Sequence, residues 1–164
     1  MKKIMSIIIT VVVILSTLCT VASAGDYYFM LAQINNNKLF VNSSNVEFDE
    51  ENADVMPIAD ENGNILIPIR AVVSAVGGAI DWVEETNSVV INYNDKSISF
   101  FIGASEATVD GETIELSVAP YTIFDRTVVS LDFFSKCMNG SADFDKDTNT
   151  AMLGFETTTY AKAE

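Results

Sequence analysis

The sequence predicts an α+β fold of mostly antiparallel strands with two short helices, arranged as two degenerate strand–hairpin–helix–hairpin repeats. Three features lead to this prediction. Apolar residues alternate over short stretches that are bounded by turn residues, as in half-buried strands. Two short apolar stripes have helical spacing, and each is followed by a glycine-containing pair. The order of apolar, glycine and turn positions also recurs at offsets of about 62 and about 68 residues.

The first 24 residues have the pattern of an export signal. Lys2 and Lys3 precede an apolar run over residues 4–21, and Ala22-Ser23-Ala24 has the small residues of a cleavage site. We therefore expect cleavage after Ala24. The alternative is an uncleaved membrane anchor, because the run is about as long as a bilayer-spanning helix requires.

The first repeat is predicted over about residues 27–94. Its run Ile65–Ile67 predicts a short strand that Pro68 closes. A helix follows, because apolar residues then occur at positions i, i+3, i+4 and i+7, which are Ile69, Val72, Val73 and Val76. Gly77 and Gly78 provide the left-handed exit from this helix. Alternating residues next predict a hairpin with an acidic turn, and its apolar members are Ile80, Trp82, Val89, Ile91 and Tyr93.

The second repeat is predicted over about residues 96–156, followed by a frayed tail over residues 157–164. At the first offset, Val128-Val129 replaces Leu66-Ile67, Asn139-Gly140 replaces Gly77-Gly78, and Phe144 replaces Trp82.

At the second offset, the segment Val41–Val46 matches Val109–Ile114, in which Asp110-Gly111 is a strong tight-turn signal. The two offsets differ because the first copy carries extra chain. We place that extra chain in the polar stretch Asp49–Asp54, which is expected to be an exposed loop.

These motifs resemble a known family. The strings Ile65–Val73 and Ala75–Trp82, together with the Val41-Asn42 and Val109–Gly111 hairpins, are similar to the stalk domain, or copper amine oxidase N-terminal-like domain, of exported Gram-positive bacterial proteins. The resemblance covers nearly all of the chain after the signal and implies a non-catalytic stalk. It also implies a structural role for the motif residues, which are Pro68, Arg70, Gly77, Gly78, Trp82, Asp110, Gly111, Gly140 and Phe144.

The second copy departs from the family pattern at the start of its helix. Ser130 stands where Pro68 does, and Asp132 stands where Arg70 does. Ser130 is a good N-cap and Asp132 suits the first turn of a helix, whose dipole favours an anion there. Arg70 places a cation in the first turn of a helix, where the helix dipole disfavours positive charge. We hypothesise that the negative charge of Asp81 compensates that of Arg70.

The composition excludes several classes of function. The sequence contains no histidine, so a histidine-ligated copper or zinc centre and a Ser-His-Asp triad are impossible. The formal net charge is -14, and removal of the signal with its two lysines makes it -16, which argues against nucleic acid as a partner. Cys137 is the single cysteine left after cleavage, and its apolar neighbours predict a buried side chain rather than a reactive thiol.

One acidic stretch has the alternate-residue oxygen spacing of a calcium loop. It consists of Asp143, Asp145, Asp147 and Asn149. Thr148 and Gly154 stand where such a loop requires glycine and glutamate, and the repeat places the stretch on a hairpin. We interpret it as a solvated acidic turn and expect no metal, no cofactor and no catalytic residue in this chain.

The sequence thus predicts an exported, non-catalytic binding or spacer module of the cell envelope or extracellular space. Its partner is expected there, with no nucleic acid and no membrane partner after signal cleavage; the sequence does not specify that partner or the oligomeric state. The alternatives are a carboxylate-dependent hydrolase such as a glycosidase, an acidic calcium-binding protein, or a secreted inhibitor. An aromatic-lined cleft with two convergent carboxylates would favour the hydrolase.

Overall fold

Short strands dominate residues 26–157, which are the part of the chain that the computed structural model describes. The strands are β1 Asp26–Gln33, β2 Lys38–Val41, β3 Ser44–Glu47, β4 Ile58–Ala59, β5 Ile65–Pro68, β6 Ala79–Val83, β7 Ser88–Tyr93, β8 Lys96–Phe101, β9 Glu106–Val109, β10 Glu112–Glu115, β11 Tyr121–Ile123, β12 Arg126–Ser130, β13 Ser141–Asp145 and β14 Thr150–Thr157. The helices are α1 Ile69–Ala75 and α2 Leu131–Cys137, and a 3₁₀ turn spans Glu84–Thr86. The predicted signal and all but the first residue of the predicted tail lie outside the described residues.

The strands form three antiparallel sheets. The first has the order β13-β14-β1-β2-β3, the second β10-β9-β8-β7-β6, and the third β11-β12-β5-β4. With the two helices, this arrangement confirms the predicted α+β class. No helix within residues 26–157 has the length and apolar character needed to cross a bilayer.

Each sheet combines strands from both predicted repeats. In the first sheet β1 pairs with β14, from Asp26 opposite Thr157 to Gln33 opposite Thr150, so the two ends of the described chain lie side by side. In the third sheet β5 of the first half pairs with β12 of the second. The second sheet runs through the repeat boundary, where Asn94 and Asp95 form a two-residue turn with φ of 51° and 60°. Because strands are exchanged in this way, neither half completes a sheet of its own.

Corresponding elements of the two halves begin at constant offsets. α1 begins at Ile69 and α2 at Leu131, and β6 and β13 begin at Ala79 and Ser141, which are offsets of 62 residues. The hairpins β2–β3 and β9–β10 are offset by 68 residues.

The turns of these two hairpins use the same hydrogen bonds. The Asp110 Oδ1 atom accepts the N–H of Ser97 at 2.9 Å, and the Asn42 Oδ1 atom accepts the N–H of Phe29 at 2.9 Å. Both residues have positive φ, and Gly111 follows Asp110 with a φ of 89°. The predicted tight turn therefore also connects its hairpin to the neighbouring strand.

Two glycines are required by close approach rather than by backbone angle. A Cβ at Gly78 would lie 2.8 Å from the Val73 side chain, and one at Gly140 would lie 2.5 Å from the Phe155 ring. Both glycines follow a helix and let the next strand cross close to the core. The left-handed exit from the helix is made by Gly77 in the first half and by Asn139 in the second.

Phenylalanines connect α2 to strands of two sheets. The Phe133 ring meets Phe100 of β8 edge-to-face at a centroid distance of 5.2 Å and meets Phe134 at 6.0 Å. Phe134 in turn meets Phe155 of β14 at 6.1 Å. Cys137 lies fully buried beside them, and burial raises its pKa to about 11, so it packs as a neutral thiol.

Replacement of Phe133 by alanine is expected to destabilise the whole fold. A fully buried Phe→Ala change costs about 3–5 kcal/mol, which is a large part of the stability of a domain of this size. Phe101→Ala is the matched control, because that side chain is 55% exposed in β8. Urea unfolding should show a large loss for Phe133→Ala and a change within about 0.5 kcal/mol for Phe101→Ala. Equal losses would contradict the assigned core.

Candidate functional site

A cleft lies where α1, β6, the segment 47–51 and the β11–β12 hairpin meet. Its volume is about 330 Å³. It is lined by Phe48, Asp49, Val55, Pro68, Ile69, Arg70, Ile80, Asp81, Trp82, Val89, Thr122, Asp125, Arg126 and Thr127. We call it the Arg70 cleft. A shallower depression of about 550 Å³ continues from it along the segment 47–51 and α1.

The floor of the Arg70 cleft is apolar and belongs to the core. Phe48, Val55, Ile69 and Val89 are each at least 95% buried. All four lie in the first half, and the β11–β12 hairpin of the second half lines the far side. The pairing of β5 with β12 therefore joins the two halves beside the cleft.

Both arginines of the sequence, Arg70 and Arg126, line this cleft. The Arg126 Nε atom donates to the Asp49 Oδ2 atom, and the Arg126 Nη2 atom lies 3.6 Å from the Glu51 Oε2 atom. The hydrogen bond from Arg126 lowers the pKa of Asp49, and the same bond raises the pKa of Arg126. Arg126 is thus neutralised by the loop that the sequence predicts to be exposed, and Asp49 at the start of that loop is half-buried instead.

Arg70 differs from Arg126 in having no such partner. Its side chain is exposed in the first turn of α1, and among residues 26–157 no hydrogen bond or ion pair reaches it. Asp81 lines the same cleft, but the salt bridges of the described residues do not join it to Arg70. The hypothesised ion pair between Arg70 and Asp81 is therefore absent. Because the Arg70 guanidinium is exposed, solvent screens its charge from the helix dipole instead.

One exposed aromatic side chain lines the cleft, and a second is next to a lining residue in the chain. Trp82 on β6 lines it and is 45% exposed. Phe124 precedes the lining residue Asp125 and is 57% exposed. Phe124 and Asp125 form the β11–β12 turn with φ of 49° and 59°, a conformation that glycine and asparagine adopt far more readily than phenylalanine. Strain of this kind, on an exposed aromatic residue, is typical of functional positions.

The corresponding place in the second half is closed by its own side chains. Asp132, which occupies the position of Arg70, accepts the N–H of Ser117 on Oδ2 at 2.9 Å and also binds Ser130 and Lys136. The Lys136 Nζ atom donates to the carbonyl oxygen of Glu115 at 2.9 Å. The segment 115–117 is thereby tied to α2. Burial would raise the pKa of Asp132, but the hydrogen bonds from Ser130, Ser117 and Lys136 outweigh it and leave this pKa well below its ordinary value.

The weak calcium candidates lie on the β13–β14 hairpin and its turn. Asp145 uses both carboxylate oxygens within that turn, accepting the N–H of Asp147 at 2.9 Å and the hydroxyl of Thr148 at 2.8 Å. The Thr148 bond and the Asp147 bond lower the pKa of Asp145. Asp143 accepts the N–H of Phe144. Among residues 26–157 no group of three or more acidic, cysteine or histidine side chains could hold a metal ion.

The remaining motif residues are structural in their placement. Pro68 is buried at the start of α1, and Phe144 packs half-buried against the core from β13. Sequence reasoning singled out Arg70 and Trp82 separately and did not bring them together. It also missed Phe124 and Arg126, although a Phe-Asp pair between two short stretches with apolar residues, without glycine or asparagine, is an unusual turn that could have drawn attention.

Comparison with known proteins identifies one family. The family model of the copper amine oxidase N-terminal domain matches residues 40–153, which includes all of the Arg70 cleft. A search of curated proteins gives no match.

Asp132→Asn is expected to lower the free energy of unfolding at pH 7 by about 1–3 kcal/mol, because it weakens hydrogen bonds to a partly buried charge. The folded-state pKa of Asp132 lies below the value of about 3.9 in the unfolded chain. Its contribution is therefore complete above about pH 5 and is lost as the pH falls through the folded-state pKa.

The difference in unfolding free energy between wild type and Asp132→Asn should consequently narrow as the pH is lowered from 7 to 2. Asp147→Asn, on the exposed β13–β14 turn, provides the control and should change stability by less than about 0.5 kcal/mol. A pH-independent difference would show that the charge of Asp132 is not what stabilises the segment 115–117.

Proposed function

The chain belongs to the copper amine oxidase N-terminal domain family, and from this we propose that it is an exported, non-catalytic binding module of the cell envelope or extracellular space. The family is an N-terminal domain, distinct from the part of copper amine oxidases that carries out the oxidation. Membership is therefore compatible with a binding or spacer module. Export, the location in the envelope and the choice of binding over spacing are the proposal.

The Arg70 cleft is the observation that favours binding over spacing. A spacer needs only a stable fold, whereas this cleft combines an apolar floor, an exposed tryptophan and an arginine for which residues 26–157 supply no partner. Small-ligand sites have this composition, with apolar walls and a few polar groups that set orientation.

The residues present do not fit the copper chemistry of the oxidases, and Asp49 of the cleft does not fit the general acid of a glycosidase. The sequence has no histidine to ligate copper. A glycosidase needs one carboxyl group whose raised pKa keeps it protonated as a general acid. Asp49, Asp81 and Asp125 line the cleft, and of these Asp49 is bound by Arg126, which lowers its pKa. The pKa is also lowered at Asp60, Asp132 and Asp145 outside the cleft. A lowered pKa keeps a carboxylate ionised and suits a structural or binding role.

Export rests on the N-terminal pattern of the sequence. A basic pair, an apolar run and Ala22-Ser23-Ala24 together match the pattern of an export signal with a cleavage site. The large excess of acidic residues is consistent with a protein that stays soluble beside anionic wall polymers.

Co-sedimentation with insoluble cell walls from a Gram-positive bacterium tests the proposed function. Wild-type protein should pellet with the walls, and should not pellet with vesicles of anionic lipid. Trp82→Ala should reduce wall binding about tenfold or more, as truncation of an interface aromatic residue commonly does. Phe101→Ala is the matched control and should bind like wild type, because Phe101 is also an exposed aromatic residue, at 55% against 45% for Trp82, but lies outside the cleft. If wild-type protein remained in the supernatant, that result would contradict a wall-binding role and would favour the role of a spacer.

A further inference from the structure

We infer that the Arg70 cleft binds a short, extended peptide with a free carboxylate, held by Arg70, and an apolar side chain that packs against Trp82. The inference rests on the proposed function, because it names the ligand class of the same binding module. It is supported by the difference between the two halves, by the charges that line the cleft and by the position of β6 in its sheet.

The two halves differ at the start of their helices, where Arg70 and Asp132 occupy equivalent positions. In the second half the segment 115–117 is bound to α2 by Asp132 and Lys136. In the first half the corresponding residues 47–49 make no ion pair to α1 among the described residues, and Asp49 binds Arg126 across the cleft instead. The internal anion of the second half is thus replaced in the first by Arg70, a cation facing an open cleft. A carboxylate supplied from outside would complete the equivalent bridge with the charges reversed.

The charged side chains of the cleft favour a ligand that carries one carboxylate and one ammonium group. Arg126 is already neutralised, so Arg70 is the cation left for a ligand, and a guanidinium binds a carboxylate through two parallel hydrogen bonds. Asp81 and Asp125 also line the cleft. They would repel a doubly charged phosphate but would attract the ammonium group of a zwitterionic peptide. This arrangement selects a peptide with free termini over a polyanion.

The geometry of β6 favours an extended ligand. Ile80, Asp81 and Trp82 are consecutive, and all three line the cleft. Side chains of a strand alternate between its two faces, so three neighbours can line one cleft only if it runs along the edge of the strand. β6 is the last strand of its sheet, so within residues 26–157 its outer N–H and C=O groups face no further strand. An extended peptide can pair with such an edge through its main chain while its side chains enter adjacent pockets.

The size and floor of the cleft set the length of the ligand. A volume of about 330 Å³ is near the lower end for small-ligand pockets, which suits two or three residues rather than a folded partner. Phe48, Val55 and Ile69 provide an apolar surface for one side chain, and the exposed indole of Trp82 can cover it from the edge.

Titration with a synthetic tripeptide tests the inference, with Trp82 as the probe. Trp82 is the single tryptophan of the sequence, so a change in its fluorescence reports on the cleft itself. Ala-Leu-Ala with free termini should give a saturable change in emission, and the same peptide with an amidated carboxyl end should bind about tenfold more weakly or worse. Arg70→Gln should weaken binding of the free acid by a similar factor and should remove the discrimination between acid and amide.

Lys146→Gln is the matched control, since it removes an exposed cation from the β13–β14 turn, outside the cleft. It should bind the free acid like wild type. Arg70→Gln should melt at the wild-type temperature, because the exposed side chain it replaces makes no hydrogen bond or ion pair among the described residues. Equal affinity for acid and amide in wild type, or discrimination that survives in Arg70→Gln, would overturn the inference.

The result is separable from that of the wall-binding experiment. Wall binding that depends on Trp82, with no fluorescence change on addition of the tripeptide, would overturn the peptide ligand and leave the binding module. A saturable, Arg70-dependent response to the tripeptide without wall binding would support a peptide carboxylate as the ligand. It would contradict the cell wall as the source of that ligand.

Discussion

The shared aromatic core is the constraint on which the rest of the structure depends. Phe133 and Phe134 of α2 pack against Phe100 of β8 and Phe155 of β14, which belong to different sheets. Cys137 is the single cysteine of residues 26–157 and is a free thiol, so packing and not a disulfide holds these sheets together. Because every sheet takes strands from both halves, the walls of the Arg70 cleft are positioned by the whole fold and not by one repeat.

Two similar halves need not have the same role. The same framework of strand, helix and strand places an anion at one helix start and a cation at the other. Asp132 is satisfied within the protein, where it fastens a neighbouring segment to α2. Arg70 is exposed at the edge of an apolar cleft. The departure from the family motif in the second half therefore stabilises the fold, and the retained arginine in the first half is available to a ligand.

Local patterns in the sequence predicted helices and turns, but they did not predict the contacts between residues far apart in the chain. Helical spacing from Ile69 and the Asp110-Gly111 pair identify a helix and a turn because neighbouring residues determine both. The pairing of β1 with β14 and the Arg126–Asp49 ion pair join residues far apart in the chain, and no spacing rule encodes such partners. The cleft arises from these partnerships, so Arg70 and Trp82 could be noticed in the sequence but not placed in one site.

The most direct test of the central claim is to map the ligand site on the protein by amide chemical-shift changes. When Ala-Leu-Ala is added to isotopically labelled protein, the affected amides should cluster at residues 47–51, 69–74, 80–82 and 122–127, which surround the Arg70 cleft. The corresponding amides at 115–117 and 131–136, where Asp132 closes the equivalent place, should remain unchanged. Shifts of equal size in both halves, or shifts confined to other surfaces, would contradict the assignment of the cleft as the binding site.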